Sequence, residues 1–246
     1  MQKAEFRNMF YLLRKQVIVL LITLAVCNVS FAQREINLPD HDAKPYYFGI
    51  TLSYNSSYLH ASMHPKFLQS DTIMVADPVN AGGFGLGLLA TGHLSNRFEI
   101  RVNPQLIFAS KIIKYVTRHD KPGEEPNPKK NIESILMSVP LQVKFKSDRI
   151  NNFRVYMMGG LKYDYDMASN SSARKAEDLV KLKPGDYGFE AGIGFNFYFK
   201  SFIFSPEIKI SNGFNDIHSR DPNLKFSNSL ERLQSRMILF SIHLEG

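Results

Sequence analysis

Long, polar connectors alternate with very short ones along this chain, and the segments between them alternate apolar and polar residues. The long connectors lie near residues 57–82, 115–131, 168–185 and 212–232, and the short ones at 95–97, 147–152 and 200–201. A soluble sheet has no reason to sort its connections by length in strict alternation. A sheet closed across a bilayer does: tight turns gather at one end, loops at the other, and an even strand number returns both termini to the turn end. Eight segments lie between the connectors. The pattern predicts an all-β, eight-stranded antiparallel up-and-down transmembrane β-barrel over residues 46–246, with short turns and both termini periplasmic and long loops extracellular.

Each segment divides into two faces, because side chains alternate along a strand. Phe48, Ile50, Leu52 and Tyr54 oppose Gly49, Thr51, Ser53 and Asn55; Phe84, Leu86 and Leu88 oppose Gly83, Gly85 and Gly87. The sixth segment is the clearest, with Tyr187, Phe189, Ala191, Ile193, Phe195 and Phe197 against Gly188, Glu190, Gly192, Gly194 and Asn196. The last is the least regular, because Met237 and Leu239 share the face of Ser241 and His243. Alternation alone does not say which face points outward, since a lipocalin-like soluble barrel has the same period with the apolar face inside. Two features favour lipid outside. Phe and Tyr cluster at strand ends (Tyr46, Tyr47, Phe98, Tyr115, Phe145, Phe153, Tyr187, Phe199 and Phe202) as interfacial girdles do, and glycine crowds the polar face.

With the polar face inward, the lumen receives Arg101, Lys144, Arg154, Lys162 and Lys209 beside Glu99, Asp164, Glu190 and Glu207. An eight-stranded barrel has room for little beyond its own side chains, and charges away from water persist only when paired. The set therefore reads as a salt-bridged plug and not as a conducting path. Pro104, Pro140 and Pro206 fall inside strands, where each marks a bulge or a locally broken ladder.

The N-terminus reads as a secretory signal over residues 1–32. Lys3, Arg7, Arg14 and Lys15 precede an apolar run at 17–26 that is too short to span a bilayer, and Ser30 and Ala32 place cleavage between Ala32 and Gln33. Residues 33–45 then form a short periplasmic lead into the barrel. A lipoprotein reading would acylate Cys27, but the branched Val26 precedes it. Cys27 is the only cysteine, so a mature chain has neither disulfides nor cysteine-bound metal. The whole chain carries +7; the first 32 residues hold four basic and one acidic residue, which leaves the mature chain at +4, scattered rather than striped. Nucleic acid is not an expected partner.

Candidate motifs are few. Gly85–Ala90 fits a loose dinucleotide fingerprint, but that motif needs a strand-to-helix turn and here the alternation runs straight through. Asp216, His218 and Asp221 cluster with Asn215 and Arg220 in the fourth long connector; one local cluster has no catalytic geometry and reads as a solvated polar loop. The histidines show no metal-ligand spacing. No catalytic residue, metal, cofactor or small-molecule substrate is inferred. The proline-rich stretch 118–130 is expected to be a mobile external segment.

Three stretches carry a resemblance. Asn96-Arg97-Phe98-Glu99-Ile100-Arg101-Val102-Asn103-Pro104-Gln105-Leu106, Ser138-Val139-Pro140-Leu141-Gln142-Val143-Lys144-Phe145 and Tyr156-Met157-Met158-Gly159-Gly160 resemble strands of the Bacteroidota outer-membrane β-barrel family, and most of all its PorT/SprT members. That resemblance implies a non-enzymatic component of the type IX secretion (gliding) system, which exports cargo bearing a C-terminal sorting domain, with outer-membrane lipid and other subunits of that system as partners. A stand-alone barrel binding a surface ligand or adhesion target remains open beside it. Asp71-Thr72-Ile73 resembles the O-glycosylation signal of the same phylum, which makes Thr72 a candidate acceptor.

Overall fold

The computed structural model describes residues 35–63, 73–117, 129–169, 182–219 and 230–246. The barrel lies in the unit Asn37–Gly246. After a 3-10 turn at Pro39–Ala43, ten strand segments follow: β1 (Tyr46–Met63), β2 (Ile73–Val79), β3 (Ala81–His93), β4 (Phe98–Val102), β5 (Gln105–Thr117), β6 (Lys129–Lys146), β7 (Phe153–Asp166), β8 (Gly185–Tyr198), β9 (Ile203–Gly213) and β10 (Leu230–Glu245). Each pairs antiparallel with its neighbours, and β1 pairs with both β10 and β3, which closes the sheet.

Ten segments stand where the sequence pattern gives eight strands, because two strands are interrupted. β2 and β3 run on from one another across Asn80. Val79 faces Ile112 and Gly83 faces Ala109, so one strand uses an extra residue there, which is a β-bulge. β4 and β5 are separated by Asn103-Pro104 without any slip, since Ala90 faces Val102 and Gly87 faces Gln105. Pro104 and Pro140 open the same gap in the ladder to β6, between Val102–Leu141 and Gln105–Ser138. Pro206 keeps register with Ile242, while the ladder to β8 opens between Gly194–Glu207 and Phe197–Phe204. The prolines therefore break ladders and do not bulge them: each lacks a donor N–H but adds no residue.

The expected connectors at 57–82, 115–131 and 212–232 prove partly strand. β1 and β6 each run for 18 residues, about twice what one tilted strand needs to cross a bilayer. On β1 the outward residues Tyr46, Phe48, Ile50, Leu52 and Tyr54 are all large and apolar or aromatic; beyond them come His60 and Ser62, while Leu59 turns inward. The far half thus keeps the two-residue period but reverses its polarity, so a search for a lipid-facing stripe passes over it. Within the first long connector, Ile73–Val79 likewise form a strand, β2. The short turns fall as expected between β3 and β4, β6 and β7, and β8 and β9.

Candidate functional site

Among the described residues, ionisable side chains from several strands converge in the barrel interior, and its contents follow from strand parity. Among the described residues seven buried Lys and Arg (101, 111, 144, 146, 154, 162 and 209) meet seven buried Asp and Glu (99, 164, 166, 186, 190, 207 and 245). All nine charged positions named from the sequence point inward, but they do not form one network.

At the end bearing the termini, Arg101 donates through Nη1 to Glu207 Oε2 at 3.0 Å and through Nη2 to Glu245 Oε1 at 3.1 Å. The Lys144 ammonium lies 3.5 Å from Glu99 Oε2 and 4.0 Å from the centre of the Tyr156 ring. Lys146 donates to Glu99 Oε1 at 2.7 Å and the Tyr47 hydroxyl to Glu99 Oε2 at 3.0 Å. The Tyr156 hydroxyl donates to Glu207 Oε2 at 2.8 Å, and His243 Nε2 lies 3.4 Å from Glu207 Oε1. Tyr156 has room for its ring because the facing residue is Gly194, where a Cβ would overlap it. Arg154 leaves this group and grips Asp42 of the 3-10 turn with both terminal nitrogens, at 2.8 and 3.1 Å.

Further along, Lys209 and Gln142 share Glu190, at 2.9 and 2.7 Å. Lys162 pairs with Asp164, and Ser235 donates to Asp186. Beyond these the interior turns apolar. Leu59, Ala76, Ile113, Tyr115, Ile132, Leu230 and Leu233 pack with Leu182 and Ile217, two residues that the connectors after β7 and β9 fold inward. Asp216 holds this cap by accepting from the backbone N–H of His218 and of Leu233, each at 3.0 Å. The expected solvated loop is therefore corrected at His218, which is buried. Asp221 and Arg220 lie outside the described residues, as do Ala32, Gln33 and Thr72.

On the outside, Phe48, Leu52, Phe84, Leu88, Met157, Leu161, Ile193 and Phe240 are exposed. A filled, charge-balanced interior beneath an apolar exterior is the inverse of a soluble barrel. Residues 31–219 match the model of a family described as the outer membrane protein beta-barrel domain. The chain belongs to that family.

None of the curated proteins matches the chain. Among solved structures, it is similar to the outer membrane protein OprG from Pseudomonas aeruginosa, at 12% identity over 81% of this chain and 93% of that one, with a TM-score of 0.49. Neisserial surface protein A is similar at 10% identity over 80% and 95%, with a TM-score of 0.38. So is the attachment invasion locus protein Ail of Yersinia pestis, solved with the heparin analogue sucrose octasulfate, at 10% identity over 82% and 100%, with a TM-score of 0.38. As a member of this family the protein resides in the outer membrane.

Within this outer-membrane barrel, sequence reasoning passed over Glu245, Lys146, Lys111, Asp166 and Asp186 as members of the interior charge set. The signal was present: each has the parity of a named neighbour, such as Glu245 with His243 and Ser241, or Lys146 with Lys144. Following the alternation one or two steps further along each strand finds them. The expected aromatic girdle needs a matching correction. Tyr47 and Tyr115 are inside the barrel, 3% and 0% exposed, while Tyr46, Phe98, Phe145, Tyr187, Phe199 and Phe202 are outside. Of two consecutive aromatics on a strand, only one can face lipid.

Proposed function

We propose that this protein is a non-conducting, non-catalytic outer-membrane barrel that serves the type IX secretion machinery, with its termini periplasmic and its long connectors outside the cell. The observation that carries the reading is the interior: Arg101, Lys144, Tyr156 and Glu207 occupy the terminal half in paired charges and hydrogen bonds, so the surfaces left to act are the lateral face and the connectors. The strand sequences around Pro104 and Pro140, which resemble PorT/SprT strands, supply the choice of machinery. Lipid and other subunits of that machinery are the partners.

Deletion of the gene tests it. Cargo bearing the sorting domain should accumulate unprocessed in the periplasm while other outer-membrane proteins assemble normally. Normal export would discard the reading in favour of a stand-alone barrel that binds a surface ligand. In planar bilayers the pure protein should give no stable, large-conductance openings. A cysteine at Ser172 should label in intact cells and one at Asn96 should not. We further propose that the mature chain begins at Gln33, read by N-terminal sequencing, and that Thr72 carries a glycan, read as a mass excess over a Thr72→Ala variant.

A further inference from the structure

The stretch from Asn37 to Lys44 crosses the terminal mouth of the barrel and is fastened there from several sides. Asn37 donates from its backbone to Asn152 Oδ1 and from its side chain to the Tyr198 carbonyl, both at 2.9 Å. Arg149 lies with its guanidinium 3.7 Å from the Tyr198 ring centre and donates to the carbonyls of Asn37 and Leu38. Leu38 sits at φ 49°, in the left-handed region that a branched side chain enters only when its surroundings hold it there. Arg154 holds Asp42 two residues short of the exit.

In the middle of this strap His41 points inward and is 4% exposed. Its ring lies 4.6 Å from that of Tyr47, 6.3 Å from Tyr198 and 6.4 Å from His93. Neither ring nitrogen has a hydrogen-bond partner. A neutral imidazole is tolerated in such an aromatic seat, whereas a charged one has no acceptor for its second proton. We propose that the strap is a proton-sensitive latch: protonation of His41 unseats residues 37–44 from the barrel mouth while the barrel itself stays closed.

The charged neighbours do not rescue the proton. Asp42 is committed to Arg154, and Glu245 of β10 to Arg101. On β4, Glu99 is surrounded by Lys144, Lys146 and the Tyr47 hydroxyl. Lys44 and the nearby His93 oppose a further positive charge. Burial accordingly holds the His41 pKa down to about 4 from an ordinary 6.5, with Lys44 and His93 acting in the same sense and Glu245 and Asp42 against it. The sign follows directly. The released imidazole takes up a proton below 6.5 and the seated one does not, so the seated form loses ground as pH falls through that value. At pH 5.5, where free carboxylates are still ionised, the seated-to-released ratio should drop on the order of tenfold.

Hydrogen exchange of the full protein in lipid bilayers, corrected for the intrinsic pH dependence of exchange, reads this directly. Peptides spanning 37–45 should lose about tenfold in protection between pH 7.5 and pH 5.5, while β6 and β7 peptides keep theirs. His41→Phe should remove that loss, and His93→Gln should retain it. Should His41→Phe fail to fold, His41→Gln serves, since it is polar but does not titrate. Unchanged protection in the wild type overturns the proposal. So does the same loss in a His41 variant, its disappearance in His93→Gln, or a loss shared by β6 and β7. The outcome is independent of any role in secretion.

Discussion

Toward the termini the barrel is filled with ion pairs, whereas toward the long connectors it is filled with leucine and isoleucine. Arg101 with Glu207 and Glu245 typifies the first region, and Leu59 with Ile113 and Leu233 the second. The exteriors differ in the opposite sense: Phe48, Ile50 and Leu52 surround the first, and His60, Ser62, Glu133 and Arg232 the second. The same strands carry both patterns. What changes is the solvent. Lipid tails are as apolar as leucine, so an apolar interior gains nothing there from the hydrophobic effect, and cross-strand charge pairs and hydrogen bonds bind the strands together instead. A one-residue slip would also carry Lys or Arg into lipid, at about 2–4 kcal/mol each near the midplane, so the charged interior fixes register. Above the apolar band water surrounds the strands, and the ordinary rule of a soluble barrel returns, with apolar residues inside.

The largest effect is expected from removing one charge from the terminal half. Arg101→Met removes the guanidinium that Glu207 and Glu245 share and should cost about 3–5 kcal/mol, read by urea unfolding in bilayers. Adding Glu207→Gln and Glu245→Gln should recover most of that loss. A single variant within about 1 kcal/mol of wild type would show that pairing does not hold this half together.

In the other half the corresponding test is a cavity. Leu59→Ala, at a fully buried position, should cost roughly 3 kcal/mol and show no dependence on salt, because only packing is lost. A smaller change tests how tightly the charged half is packed. Gly194→Ala places a methyl group against Tyr156 and displaces the hydroxyl that serves Glu207, for about 2 kcal/mol. A near-neutral result would mean the terminal interior is looser than the apolar one.

The smallest effect belongs to the rim. Burial raises the Asp42 carboxyl pKa, but the hydrogen bond and charge of Arg154, with Lys146 and Arg149, outweigh it and hold the group below its ordinary 3.8. Its contribution is therefore complete above 3.8 and is lost as pH falls through the lowered value. Asp42 is partly exposed, so Asp42→Asn should cost less than about 1 kcal/mol at neutral pH. It should leave strand exchange rates unchanged and loosen only residues 37–44.

Much of the architecture was legible in the chain itself. Connector lengths gave strand direction, and the two-residue period assigned Phe48, Leu86, Ile193 and Phe240 to one face and Arg101, Lys144, Glu190 and Glu207 to the other. Those are local properties, set by the pleat and by the cost of exposing backbone polar groups to lipid. Three things were decided only in three dimensions. Which acid meets which base depends on the stagger between strands, so that Arg101 finds Glu245 at the far end of the chain. The place where each strand leaves the apolar band depends on strand tilt, which is why β1 continues to Met63 through a stretch that reads as a loop. The seat of His41 depends on β1, β3 and β8 bringing Tyr47, His93 and Tyr198 to one mouth. Periodicity reports the environment of each side chain, but partners distant in sequence are set only when the sheet closes on itself.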